Sequence, residues 1–403
     1  MRIELPREAQ RFGANLFYGV QKVYELDSGP ISDSHMYEPY FVIRQVPYEA
    51  LYEIEKQMAI VVPIKGERLR LIEGVLYGIP HACLTIVVSN SPREPVDRFN
   101  MEKNAIENFN AFSKKNVMVV HQKDPAVATA FADSGYTGIL DEHGLVSDGK
   151  AEGMIIGLML ARLAGKKYVG FIDADNYFPG AVFEYVRVYA SGFALSQSDY
   201  SMVRNLWHSK PKIVDSNLYF AKYGRTSVVT NQYLNRLIGH HTGFETEVIK
   251  TGNAGEHALS MDLALLLDYA SGYAIEPYHF INLMEKFGGL TVSPYPEVMR
   301  QSVEVYQIES RNPHLHASKG DTHIQDMISA SLRAMYHSSS CPAALRQEIL
   351  HEMRRRRLLA KDQYPEPIIR YPALAEINIE AFAGALSGQT YAALLEPVSQ
   401  SLL

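Results

Sequence analysis

From residue 58 onward, short apolar runs alternate with amphipathic stretches. Met58-Ala-Ile-Val-Val-Pro63 is continuously apolar, the pattern of a strand covered on both faces. After the turn Lys65-Gly66-Glu67, residues 68–77 carry Leu69, Ile72, Val75 and Leu76 at helical spacing, and Gly78-Ile-Pro80 ends them. Leu84-Thr-Ile-Val-Val88 reads as a second strand, closed by Ser89-Asn-Ser-Pro92, and residues 94–113 as a helix. Asn116-Val-Met-Val-Val-His121 gives a third strand. Residues 123–149, rich in Asp, Gly and Ser, read mostly as loop. A helix follows over 150–164, with Ser147 or Asp148 as candidate cap. Then come the strand Tyr168-Val-Gly-Phe-Ile172 and a helix that Pro179 opens, running to about residue 191.

Strands alternating with helices predict an α/β fold: a mainly parallel central sheet with helices on both faces. The flanks are less regular. Residues 1–50 read as an extension packed on the main domain. Past residue 200 the pattern becomes strands and polar loops with a helix near 258–270. Residues 324–363 read as charged helix, and 372–403 as Ala- and Leu-rich and helical. The expected division is 1–205, 206–325 and a helical C-terminal region over 326–403.

Composition narrows the function. The 403 residues carry 39 Lys and Arg against 45 Asp and Glu, a net charge of −6. That balance argues against a nucleic-acid partner, which needs a broad basic surface. Two cysteines, Cys83 and Cys341, exclude a disulfide framework and a multi-cysteine zinc site. The N-terminus lacks the apolar core of a signal peptide, and no apolar run approaches the roughly 18 residues needed to span a bilayer. Cytoplasm, with no membrane partner, is the expected compartment.

In parallel sheets, ligand-binding groups gather beyond the carboxyl ends of the strands. Here those ends carry Pro63-Ile-Lys65, Ser89-Asn90, Gln122-Lys123 and Asp173-Ala-Asp175. Two carboxylates one residue apart after a buried strand suit a hard divalent cation. Alternatively, Asp175 simply caps the next helix. Asn312-Pro-His-Leu-His316 could add an imidazole ligand or be two surface histidines. Gly149-Lys-Ala-Glu-Gly153 opens a helix and could meet an anion. Gly224-Arg-Thr-Ser227 joins a guanidinium and two hydroxyls, good chemistry for phosphate or carboxylate. Thr251-Gly-Asn-Ala-Gly-Glu256 is a second polar turn. Both segments also read as ordinary loops. Trp207 and Arg354–Arg357 read as packing and as a solvated or subunit-contact face. The dinucleotide glycine fingerprint, the P-loop and the Gly-X-Ser-X-Gly elbow are all missing.

Five segments jointly resemble the mannosyl-3-phosphoglycerate synthase family: Val61-Val-Pro-Ile-Lys-Gly-Glu67, Asp148-Gly-Lys-Ala-Glu-Gly-Met154, Phe171-Ile-Asp-Ala-Asp-Asn-Tyr177, Gly224-Arg-Thr-Ser and Arg311-Asn-Pro-His-Leu-His316. The resemblance runs in order from about residue 1 to beyond 330. It implies a GT-A glycosyltransferase that moves mannose from GDP-mannose to 3-phospho-D-glycerate with retention of the α configuration, using Mg2+ or Mn2+. It further implies Asp175 with His314 or His316 as metal ligands, and Asp173 as support for the metal or the ribose. Pro63, Lys65, Glu67, Ser89, Gln122, Lys150 and Ala174 would line the nucleotide-sugar site. Gly224, Arg225, Thr226, Ser227 and Asn253 would hold the acceptor, with Asp173, Asp175 and Arg225 central to catalysis. Ser227 stands where related glucosyl-3-phosphoglycerate synthases have Thr in a Gly-Arg-X-Thr loop. A homodimer is the expected assembly. Competing readings are a glucosyl-transferring relative, a sugar-phosphate phosphatase, a nucleotidyltransferase and a non-catalytic nucleotide-sugar binder.

Overall fold

The computed structural model describes residues 1–26, 42–214, 217–219, 224–315 and 320–395. The chain begins with β1 (Arg2–Glu4), β2 (Ala9–Phe12), β3 (Asn15–Glu25), β4 (Ile43–Gln45) and α1 (Tyr48–Lys56). The alternating half follows: β5 (Met58–Ile64), α2 (Leu69–Gly78), β6 (Leu84–Ser89), α3 (Arg98–Ser113), β7 (Val117–His121), α4 (Pro125–Asp133), α5 (Lys150–Leu163), β8 (Tyr168–Phe171) and α6 (Pro179–Leu195). Next are β9 (Ser201–Trp207), the small hairpin β10 (Lys212–Val214) and β11 (Asn217–Tyr219), α7 (Arg225–Thr242), β12 (His257–Ser260), α8 (Met261–Leu266), β13 (Tyr269–Ala270), α9 (Ile275–Phe287), α10 (Pro296–Gln301) and β14 (Val303–Ser310). The chain closes with α11 (Gly320–Tyr336), α12 (Ala343–Arg355), β15 (Arg370–Tyr371) and α13 (Ile379–Leu386).

One sheet organises the molecule, in the order β4-β1-β3-β14-β9-β12-β8-β5-β6-β7, with β2 beside β3. β8, β5, β6 and β7 are mutually parallel, as are β3, β14 and β9. β12 runs antiparallel between β8 and β9 and joins the two parallel blocks. The apolar runs are explained by cover on both faces. Ala59 and Val61 point into a core with α5, whereas Met58, Ile60, Val62 and Ile64 point into a second core with α2 and α6. At Gly157 of α5 an added Cβ would come within 2.3 Å of the Val61 side chain, so only glycine lets this helix lie so close to β5. The C-terminal helices are built onto this frame, α11 against α7, α9 and α12, and α13 against α4.

Three expectations are corrected. Residues 1–50 do not merely pack on the domain, because β1–β4 are strands of its sheet. The 123–149 segment contains α4 and a 3-10 turn over Thr137–Ile139. Asp124 starts α4 by accepting from the Ala126 amide at 2.9 Å, with Pro125 in the first turn. The helix expected near 258–270 is strand β12, the short α8 and strand β13. The tail is helical at α13, and residues 396–403 lie outside the described residues. Among the described residues, no helix is long and apolar enough to cross a membrane.

Candidate active site

The carboxyl ends of β5–β8 converge on a cavity of about 300 Å³. Pro63 near the end of β5 and Lys65 and Glu67 just beyond it line the cavity, as do Asn90 and Gln122 beyond β6 and β7. Lys150 at the start of α5 and Asp173-Ala174-Asp175 after β8 form the next part of the wall. Tyr273, Glu276, His323 and Met327, from α9, α11 and the turn before α9, complete it.

Each predicted donor-side residue has a definite place. Glu67 accepts from the Lys65 amide at 2.5 Å, which fixes the loop after β5. Gln122 donates to the carbonyls of Ser147 (2.6 Å) and Gly149 (3.2 Å), clamping the approach to α5. Ser89 is fully buried, donates to Glu102 at 2.8 Å and does not line the cavity, where its neighbour Asn90 stands. Lys150 is ion-paired twice, to Asp173 Oδ1 at 2.6 Å and Glu276 Oε1 at 2.8 Å. Burial alone would pull its ammonium down. The two carboxylates outweigh that and hold it well above the usual lysine range.

Asp175 is 7% exposed at the cavity wall. The next residues tie this loop to the histidine segment. Asn176 Nδ2 donates to the Asp173 carbonyl (2.8 Å) and to Glu256 Oε1 (3.0 Å), and the Tyr177 amide donates to the Leu315 carbonyl (3.1 Å). His314 is buried, with its ring stacked 4.4 Å from Trp207 and its Nδ1 3.4 Å from the Tyr185 hydroxyl. Trp207, expected as packing, does pack, and on this histidine. His316 lies outside the described residues. Among the described residues, no three His, Cys, Asp or Glu side chains are grouped to cage a metal.

The acceptor-side prediction falls at the start of α7. Gly224 precedes the helix without a side-chain cap. Arg225 is 55% exposed and pairs with Asp321 at 2.8 Å. Thr226 and Ser227 are buried. Asn253 donates to Ser331 of α11 at 3.1 Å. Its loop is held from beneath by Arg204, a fully buried guanidinium that donates to the Thr251 carbonyl at 3.0 and 2.9 Å.

The structure adds residues that the strand-end pattern did not single out. Glu256, named only as the end of a polar turn, is fully buried and close to His314, at 3.9 Å. Burial and the charge of Asp173 raise its carboxyl to about 7. Glu276 meets Lys150 from 126 residues away, a pairing with no local sequence signal. Lys210 lies with its ammonium 3.8 Å from the Trp207 ring. Burial pulls it down to about 8 against the opposing charges of Glu256, Asp173 and Asp175. A basic residue soon after a strand end was a usable signal for it.

Gly255 provides a sharp test of this packing. A Cβ there would sit 2.5 Å from Asp173 Oδ2 and 3.2 Å from Lys150 Nζ. Gly255→Ala should displace the Asp173 carboxylate. Because sub-ångström misplacement of reacting groups is expensive, kcat/KM should fall roughly 10- to 100-fold. Full activity would show that Asp173 does not need this position.

The family model for mannosyl-3-phosphoglycerate synthase matches residues 5–386 of the chain. The chain belongs to that family. It is 44% identical over 94% of its length to the mannosyl-3-phosphoglycerate synthase of Pyrococcus furiosus, covering 95% of that protein. With the synthase of Aeropyrum pernix it shares 36% identity over 93% of its length, covering 94% of that protein. The solved mannosyl-3-phosphoglycerate synthase of Rubrobacter xylanophilus is 15% identical, with a TM-score of 0.48, over 82% of this chain and 92% of that one. Family membership makes the chain a glycosyltransferase and sets aside the phosphatase, nucleotidyltransferase and non-catalytic readings.

Proposed function

We propose that the enzyme transfers mannose from GDP-mannose to 3-phospho-D-glycerate with retention, in a metal-dependent reaction. The observation that carries this reading is the strand-end cavity with Asp173 and Asp175 in its wall, in a chain of this family. Residues 1–205 would bind the donor and 206–325 would complete the acceptor and metal sites, in a cytoplasmic homodimer.

The residues present fit a divalent cation. Asp175 supplies hard oxygen, and the Tyr177–Leu315 hydrogen bond tethers the segment that supplies an imidazole, a mixed set suited to Mg2+ or Mn2+. Asp175 and one of His314 and His316 would hold the ion. When bound, it would neutralise charge on the departing diphosphate. Lys150, itself held by Glu276, fixes the Asp173 carboxylate, which would face the sugar nucleotide. Arg225, Thr226 and Ser227, at a helix N-terminus that no described side chain caps, would hold the phosphate of the acceptor. The acceptor hydroxyl would then attack C1 from the face the diphosphate leaves. The C1–O bond to diphosphate breaks as the new C1–O bond forms, and the hydroxyl proton passes to the departing phosphate oxygen. Much of the acceleration would come from positioning.

A donor panel of GDP-mannose, GDP-glucose, UDP-glucose and ADP-glucose with 3-phosphoglycerate tests the donor assignment. GDP-mannose should give the highest kcat/KM. Chelator should abolish turnover, and Mg2+ or Mn2+ should restore it. A preference for GDP-glucose would move the donor assignment, and chelator-resistant turnover would remove the metal.

A further inference from the structure

The turn after β9 carries a cation that the site described so far does not use. The His314 amide donates to the Ser209 carbonyl at 2.9 Å, which fixes this turn beside the histidine segment. Lys210 then folds back so that its ammonium lies 3.8 Å from the Trp207 ring, a contact that favours a cation but neutralises nothing. Among the described residues Lys210 forms no ion pair, although Asp173, Asp175 and Glu256 all act on it electrostatically. By contrast, Lys150 in the same site is doubly paired.

Its position relative to α7 gives this ammonium a use. A Cβ built on Gly224 would lie 3.7 Å from both Lys210 Cδ and Nζ, and 4.0 Å from Ser227 Oγ. The ammonium and the Ser227 hydroxyl therefore both lie close to Gly224, the residue just before the helix. Ser227 is 8% exposed and Thr226 7%, and neither hydroxyl has a hydrogen-bond partner among the described residues. Among the described residues no side chain caps the start of the helix, whose first amides have no partner within the helix itself. A half-buried cation and the hydroxyl of a buried serine thus meet at the start of a helix that carries no side-chain cap.

Building on the acceptor reading above, we infer that Lys210 is a further substrate-binding residue, whose ammonium binds the phosphate of the acceptor together with the first turn of α7. Arg225, which faces Asp321 on the exposed side, would approach the same phosphate from solvent, whereas Lys210 approaches from the side of Asp175 and Glu256. Lys210 would then hold the acceptor phosphate on the side that faces Asp175 and Glu256, against the sugar nucleotide. Phosphate chemistry also occurs in the donor diphosphate, and the experiment separates the two sources.

Steady-state constants are measured for the full-length chain, Lys210→Met and Lys210→Arg, varying GDP-mannose, 3-phosphoglycerate and D-glycerate. In Lys210→Met the KM for 3-phosphoglycerate should rise at least about tenfold, the loss of one charge-assisted contact, while that for GDP-mannose moves less than about twofold. The ratio of kcat/KM for 3-phosphoglycerate over D-glycerate should fall by about the same tenfold. Lys210→Arg should recover most of the loss. A rise in donor KM alone, an equal loss on both acceptors, or unchanged constants would overturn the inference. Calorimetric titration with inorganic phosphate and with 3-phosphoglycerate covers failure of the functional reading. If the wild type binds these anions without transferring sugar and Lys210→Met binds them at least about tenfold more weakly, the anion site stands and the acceptor reading falls. Equal binding by the two proteins, or none by the wild type, removes the site. Should Lys210→Met not fold, Lys210→Gln carries the same comparisons.

Discussion

Asp175→Ala should lose turnover by on the order of a thousandfold or more while the protein stays folded. The carboxylate lies at the cavity wall after β8 and is proposed to hold the cation facing the diphosphate. Removing a preorganised electrostatic group from such a position costs catalysis far more than binding. Stability should change little, because the substitution removes negative charge from a wall that already holds Asp173 and Glu256. The melting temperature should stay within about 3 °C of wild type. Activity and thermal unfolding of the purified variant decide the matter. Near-normal turnover would take Asp175 out of the metal role, and a collapsed melting temperature would make it a structural group.

Lys150→Met should show the opposite signature, with stability and activity lost together. Lys150 Nζ lies 2.6 Å from Asp173 and 2.8 Å from Glu276, and Glu276 is nearly completely buried. Methionine fills a similar volume but removes the ammonium that Asp173 and Glu276 share. Breaking a buried ion pair from one side costs about 3–5 kcal/mol. One of the two acids would have to bind a proton, so the stability deficit should shrink as pH falls toward the carboxylate range. Denaturant unfolding at neutral and mildly acidic pH measures this. A deficit below about 1 kcal/mol would show that solvent screens the pair. Adding Glu276→Gln should restore part of the stability but not the activity, since the Lys150–Asp173 contact would still be missing.

The contrast between these two variants follows the contrast between what the sequence made legible and what it hid. The parallel half of the sheet was readable because β5 and β6 are buried on both faces and consist of unbroken apolar runs. Asp173 and Asp175 could be placed after a strand end because the apolar run before them marks that strand, and both line the cavity there. The N-terminal strands were hidden by their own polar residues. β3 points Asn15 and Gln21 inward, where they donate to the carbonyls of Leu283 (2.8 Å) and Glu4 (2.7 Å). Buried side chains that look polar in sequence therefore masked a period of two. β12 was hidden by brevity, since four residues run directly into the helical pattern of α8. Helix α4 had a usable signal in Asp124-Pro125, obscured by the Asp- and Gly-rich residues after it. In the site, residues within one strand-end segment were legible. Long-range partners such as Glu276 and Arg204 were not, because tertiary packing alone brings them to Lys150 and the 251–254 carbonyls.

The measurement that bears most directly on the central claim is product identification from a single reaction. Purified enzyme is given GDP-mannose, 3-phosphoglycerate and Mg2+, and the product is read by mass and by the anomeric proton in NMR. The account predicts an α-mannosyl phosphoglycerate, formed at no detectable rate when chelator replaces the metal. A β-linked product, or free mannose and GDP with phosphoglycerate unchanged, would contradict it.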